Sequence, residues 1–337
     1  MTPEQELTPE QILAGFPNVA ALVIGDICLD RWCTYDPALA EPSRETGISR
    51  LAVTRTDVTP GAGGTVANNL ASLGIGRVAV LGTIGTDGFG HELVDALNYR
   101  LISPELLIRS HELPTFTYTK LINMQTGVED QPRIDFIFNR EIPDAIERQL
   151  IDNLLEFSPT FDVIFVSDQA ETTRGGVITP RVRDAIAHIA QQYPEKIVLV
   201  DSRIRSGMFR NVIIKPNQQE AETACAALFG TMDYQRLRET VGSKVLFVTH
   251  GLRGVLVVEA GGTTLVPTRP IPNPVDICGA GDSFSAGAGV ALALTGSAIE
   301  AARFGNLVAS ITIMKKGTGT ATPEEVLAAD KHAHAGN

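Results

Sequence analysis

Short apolar runs rich in β-branched residues recur along this chain, each set off from the next by a helical stretch, and that alternation narrows the fold more than any other feature. The runs cover residues 20–24, 78–81, 163–166, 197–200, 212–214, 245–248 and 255–258. Strands this continuously apolar belong to a sheet covered on both faces. Between them, helical patterns occupy residues 66–73, 91–97, 146–155, 181–192, 220–228, 283–294 and 298–314. Strand and helix in repetition predict an α/β fold with a doubly wound, mostly parallel sheet flanked by helices, whose ligands gather at the carboxyl ends of the strands. Two stretches, 31–59 and 112–140, break the rhythm with Val, Ile, Thr, Tyr and Phe mixed among charges. They predict a small separate β-sheet, which composition alone leaves open as a lid, a dimer interface or an elaboration. The expected organisation is an N-terminal extension (1–18), one domain (19–328) and a frayed tail (329–337).

A length of 337 residues is ample for a large α/β core. The net charge of -11 argues against nucleic acid or an anionic membrane as partner, so any phosphate site has to be positive locally. The four cysteines, Cys28, Cys33, Cys225 and Cys278, form no C-x-x-C pair or zinc-spaced set and are expected as buried thiols. Met1 to Phe16 is acidic and lacks the basic and apolar regions of a secretion signal; a cytoplasmic protein is expected.

Residues 276–289 read Asp-Ile-Cys-Gly-Ala-Gly-Asp-Ser-Phe-Ser-Ala-Gly-Ala-Gly, a glycine-rich turn that ends in a carboxylate just ahead of an apolar helix. Gly279 and Gly281 permit a tight turn in which the amides of Gly279, Ala280 and Gly281 can point at an anion. Asp282 beside such a hole is ill suited to hold phosphate but well suited to take a proton from an attacking hydroxyl. An aspartate there also caps a helix, worth about 1 kcal/mol, and the motif alone leaves both readings open.

Joined to Gly61-Ala62-Gly63-Gly64-Thr65-Val66-Ala67-Asn68-Asn69-Leu70-Ala71-Ser72-Leu73-Gly74, this motif resembles the ribokinase-like (PfkB) family of carbohydrate kinases, over about residues 23–325. Ile24 to Trp32, Thr119-Lys120-Leu121 with Gln131 and Arg133-Ile134-Asp135, Ser167-Asp168, and Lys316 to Pro323 are similar to one branch, the D-glycero-β-D-manno-heptose 7-phosphate kinases. Bifunctional members of that branch add a nucleotidyltransferase domain; a chain of this length is expected to carry the kinase part alone.

The resemblance implies roles residue by residue. Asp282 becomes the catalytic base, with Gly279, Ala280 and Gly281 supporting the transferring phosphoryl. Asn217 and Glu220, in Asn-x-x-Glu, become the phosphate contact and the holder of Mg²⁺ through water, although the same pair also starts a helix. Thr249, Gly251 and Gly254 resemble the adenine-nucleotide loop, and read equally well as a hairpin turn. Asp30 is implied to grip sugar hydroxyls, with Asp26 as second choice, and Gly63 and Gly64 to let the backbone approach the sugar. Thr65 stands where the family commonly has Asn, and a hydroxyl cannot present both a carbonyl and an amine. Lys120, Arg133 and Arg203 are the cations for a phosphorylated substrate, set against plain pairing with Glu129 or Asp135. Ser202-Arg203 replaces the Pro-Lys of the heptose kinases. A monovalent cation such as K⁺ is implied near Asp276 and residues 317–320, while Ile277 and Cys278 replace threonine oxygens there.

The expectation is therefore an ATP- and Mg²⁺-dependent sugar kinase, homodimeric through the lid sheet. Its best substrate is D-glycero-β-D-manno-heptose 7-phosphate, giving the 1,7-bisphosphate. A fructose, ribose, sugar-acid or nucleoside kinase is the near alternative, and an inactive binding protein on a kinase scaffold is the distant one. A dehydrogenase reading of the glycines between Gly82 and Gly90 lacks the acidic residue in a βαβ setting.

Overall fold

A computed structural model describes residues 6–335, apart from 171, 173 and 270. Its strands are β1 (Ala20–Gly25), β2 (Ile27–Tyr35), β3 (Val53–Ala62), β4 (Arg77–Leu81), β5 (Thr83–Gly85), β6 (Ile108–Ser110), β7 (Thr117–Asn123), β8 (Ile134–Phe136), β9 (Val163–Asp168), β10 (Ile197–Ser202), β11 (Ile213–Ile214), β12 (Leu246–Thr249), β13 (Val255–Glu259) and β14 (Gly262–Val266). Eight of them form one sheet in the order β14-β13-β12-β11-β10-β9-β1-β4, parallel except for the β12–β13–β14 meander.

Successive side chains of a strand point to opposite faces, and both faces are apolar here. Ala21, Val23 and Phe165 pack under helices Gly63–Ser72, Ala280–Thr295 and Ala298–Thr312, while Leu22, Ile24, Ile164 and Val166 pack under helices Asp144–Phe157, Pro180–Gln192 and Gln218–Phe229. Burial on both sides explains why these strands read as unbroken apolar runs. The chain leaves β1 toward β4 on one side and toward β9 and β10 on the other, so the crevice at the carboxyl end of β1 is the topological switch point.

The second sheet, β3-β2-β7-β8, is the expected minor sheet. It starts earlier than the sequence suggested, because β2 follows β1 after a single residue, Asp26. Other corrections concern the ends. The supposed extension contributes Ile12, Leu13 and Phe16 to the core, with Phe16 edge-on to Phe304 at 5.5 Å. Helix Pro323–Ala335 runs through most of the stretch read as a tail. Cys28, Cys33 and Cys225 are buried, whereas Cys278 is exposed. Among the described residues no helix is long and apolar enough to cross a membrane.

Candidate active site

A cavity of about 430 Å³ opens at the switch point. The minor sheet forms one wall with Asp30, Trp32, Tyr118, Lys120 and Arg133, the turn after β9 forms another with Gln169 and Thr172, and Gly279 and Asp282 lie at the start of helix Ala280–Thr295. Register explains the lid wall: β2 and β7 pair Asp30 with Tyr118 and Trp32 with Lys120, which puts all four on one face.

Asp282 sits in the first turn of its helix, where the N-cap, Gly279, has φ 78° and so adopts the left-handed conformation that glycine tolerates. Burial pushes the Asp282 carboxyl up to about 7; the nearby charge of Asp201 adds to this, and Lys215 and Arg203 oppose it. A carboxyl half-ionised near neutrality matches the requirement of a general base. The three-amide hole needs correction. Ala280 N–H donates to the Ile277 carbonyl at 3.2 Å, closing a turn, whereas no such bond engages Gly279 or Gly281 among the described residues. The two sequence signatures meet at this loop, where a Cβ on Gly279 would lie 3.3 Å from Thr65 Cγ2. Asp276 accepts from Cys278 N–H at 2.9 Å and from Gly317 N–H at 3.1 Å, so its oxygens fasten two loops together. No cluster of three metal-ligating side chains occurs among the described residues.

Asp30 lines the cavity, and burial pushes its carboxyl up to about 6 against the pull of Lys120 and Arg133. Gly61, across β3, makes room for it, since a Cβ there would fall 2.4 Å from Asp30 Oδ1. Asp26, the second choice for the sugar, also lines the cavity, and its oxygens hold the backbone beside it. It is buried and accepts backbone N–H bonds from Gln169 (2.9 Å), Ala170 (3.0 Å) and Val177 (2.9 Å), which ties down the turn after β9. Gly63 and Gly64 depart from expectation. Cβ atoms there would meet Ile27 Cδ1 at 2.7 Å and Pro60 Cβ at 2.6 Å, so these glycines serve close packing and stay out of the cavity lining. Thr65 is buried and lines the cavity.

The three expected cations all reach the cavity, and each is engaged. Lys120 stands 3.7 Å from Glu129, and Arg133 grips Asp135 with two bonds of 2.7 Å while lying over the Tyr118 ring at 4.9 Å. Arg203 Nε donates to Gln169 Oε1 at 2.9 Å. Ser202, the neighbour that departs from Pro-Lys, is buried and donates to Asp168 at 2.6 Å.

The remaining motif residues lie along the carboxyl edge of β11 and β12, outside the cavity lining. Asn217 and Glu220 form a capping box: Asn217 Oδ1 accepts from Glu220 N–H at 2.9 Å and Glu220 Oε2 from Asn217 N–H at 2.8 Å. Burial, reinforced by Asp201, pushes the Glu220 carboxyl above its usual range. Thr249 ends β12, and Gly251 and Gly254 turn the chain into β13. Gly254 has φ 98° and a Cβ there would lie 2.2 Å from the Val266 carbonyl, so only glycine fits. The turn between β12 and β13 is thus the hairpin that the sequence allowed.

Residues 21–325 match the pfkB family carbohydrate kinases. The chain belongs to that family. It is 32% identical over 333 residues to the bifunctional protein HldE of Geotalea uraniireducens, covering 96% of this chain and 66% of the relative. To HldE of Geobacter sulfurreducens it is 29% identical over 325 residues, covering 94% and 64%. The chain therefore spans about two thirds of the length of these relatives. Among solved structures, a ribokinase from Thermotoga maritima superposes with TM-score 0.67 at 23% identity, covering 93% of this chain and 99% of that one. Phosphofructokinase-2 from Escherichia coli, in complex with potassium, gives 0.72 at 19%, covering 94% and 99%. At such identities the fold is what they share.

In this pfkB kinase, the sequence motifs point to Asp168 without giving it a partner and pass over Arg205, Asp201 and Lys215. Asp168 and Arg205 form a buried ion pair, and Arg205 also holds the carbonyls of Thr172 (2.6 Å) and Gly175 (3.2 Å), stiffening the cavity wall. Asp201 and Lys215 pair at 2.9 Å near Asp282. A polar residue closing an apolar strand run was the available signal, but what it would face is decided by other parts of the chain.

Proposed function

We propose that this carbohydrate kinase transfers the γ-phosphoryl of ATP to the anomeric hydroxyl of D-glycero-β-D-manno-heptose 7-phosphate, giving the 1,7-bisphosphate and ADP. One observation carries the reading: a single cavity holds Asp282, with its carboxyl raised to about 7, together with Asp30 and three cations, Lys120, Arg133 and Arg203. Asp282 takes the proton of the sugar hydroxyl as its oxygen bonds to the γ-phosphorus and the bond to the β-γ bridging oxygen breaks. Asp30 orients the sugar hydroxyls. The amides of Gly279 and Gly281 face the charge that develops on the phosphoryl, where one such donor contributes about 3 kcal/mol.

Glu220 fits a role in holding Mg²⁺ through water. It is a hard carboxylate in a locally acidic surrounding, and its neighbour Asp201 is committed to Lys215. When bound, the ion neutralises charge on the β- and γ-phosphates.

One observation favours a second reading, an unphosphorylated sugar. Lys120 and Arg133 already hold carboxylate partners that a substrate phosphate would have to displace. An ADP-release screen separates the two, run over the heptose 7-phosphate, fructose 6-phosphate, fructose, ribose and adenosine, with and without K⁺. The primary reading expects turnover with the heptose phosphate at least about tenfold above any other acceptor. Turnover confined to unphosphorylated sugars or nucleosides selects the second reading, and ATP binding with no ADP release from any of them replaces both with a binding protein.

The lid face turned away from the cavity, with exposed Val53, Ile134 and Phe136, pairs two chains in the same reading. Phe136→Asp is expected to halve the mass measured by light scattering; a monomeric wild type contradicts the pairing.

A further inference from the structure

Lys215 follows β11, and its side chain is only 3% exposed. Its N–H donates to the Val200 carbonyl at 2.9 Å, seating it beside β10, and its Nζ bonds Asp201 Oδ2 at 2.9 Å. It does not line the cavity. Instead it lies behind the glycine-rich loop, because a Cβ on Gly281 would stand 3.4 Å from Lys215 Nζ and 4.0 Å from Asp201 Oδ2.

We propose that Lys215 is a positioning residue for phosphoryl transfer: its ammonium, fixed behind Gly281, neutralises Asp201 and leaves Asp282 able to accept the substrate's proton. The inference rests on the role given to Asp282 above. Charge distribution supports it. Asp282 is acted on by Asp201 and Arg203 from the end of β10, by Lys215 after β11 and by Asp30 from the lid. Without Lys215, two like charges would face Asp282 with Arg203 alone to offset them. Burial works against the Lys215 ammonium, yet Asp201, Glu220 and Asp282 outweigh it and hold the group charged above its usual range. A buried ion pair is a poor source of net stability, so a stabilising role by itself accounts weakly for a charge placed here.

The test is a carboxyl ¹³C NMR titration of the full chain labelled at aspartate, with the Asp282 signal identified by its loss in Asp282→Asn. Lys215→Met is expected to raise the Asp282 midpoint by about one unit or more, which is about a tenfold loss of the ionised form below the midpoint. Lys215→Arg keeps the charge and stays within about half a unit of the wild type, and Asp201→Asn lowers the midpoint. In turnover, Lys215→Met loses about fivefold or more in kcat/KM at pH 7 and recovers by pH 9; a merely structural role would cost the same at every pH. A Lys215→Met midpoint equal to the wild type overturns the inference. Should that variant fail to fold, Asp201→Asn decides, and an unchanged or raised midpoint overturns it. The titration needs no substrate, so its failure leaves the transfer reading standing, whereas an active Asp282→Asn removes that reading and not the electrostatic coupling.

Discussion

The cavity under the lid and the open edge along β11 and β12 are built on different principles. In the cavity, Asp30, Lys120 and Arg133 present side chains to the enclosed space; Glu129, in the segment after β7, holds Lys120, Asp135 holds Arg133, and the gap at Gly61 admits Asp30. At the open edge, Asn217 and Glu220 cap each other and Gly254 fills a turn no other residue can adopt, so each motif residue also holds up its own helix or hairpin. Substitutions in the cavity should therefore separate binding from stability, while substitutions at the edge should move both together.

Gly61→Ala tests that contrast most severely. Its methyl would land 2.4 Å from an Asp30 carboxylate oxygen, and displacing a positioning group by about 1 Å can cost about 10²-fold. Steady-state kinetics should show that loss in kcat/KM for the sugar, with KM for ATP within about twofold. Next comes Arg133→Ala. Losing a charged hydrogen-bonding partner of a phosphate costs about 1.5–3 kcal/mol, roughly tenfold to a hundredfold, and only for phosphorylated acceptors. An equal loss with an unphosphorylated sugar would remove Arg133 from the phosphate role. Asn217→Ala should lower stability by about 1 kcal/mol in denaturant melts and weaken ATP binding in parallel. A cap lost with no effect on ATP would leave this residue purely structural.

The smallest effect concerns pH. The Asp282 carboxyl titrates at about 7 in the fold against an ordinary 3.8, so the stability it contributes is present below about pH 4 and is lost as pH rises through 7. Asp282→Asn should accordingly melt higher than wild type at pH 8, by on the order of 1 kcal/mol, and show no such gain at pH 4. A gain independent of pH would mean that the buried charge is not its source.

Much of the fold was legible because burial on both faces of the large sheet leaves an unambiguous apolar signature in β1, β9 and β10. Helices Pro9–Gly15 and Tyr234–Val241 escaped because each buries only two side chains, Ile12 with Leu13 and Leu237 with Val241, too few to mark an apolar stripe. Asp282, Asp30 and the cations could be named from local motifs. The backbone bonds of Asp26 and the close packing of the glycines at 63 and 64 could not, since their partners lie on β2, β3 and the segment after β9. Lys215 and Asp201 were invisible for the same reason: only the folded sheet brings both behind Gly281.

Turnover by Asp282→Asn, with ATP and the best acceptor both saturating and ATP affinity measured alongside by calorimetry, bears most directly on the proposed chemistry. The account predicts a fall in kcat of about 10² to 10⁴ with ATP affinity within about threefold of the wild type. Turnover within about threefold of the wild type would contradict it.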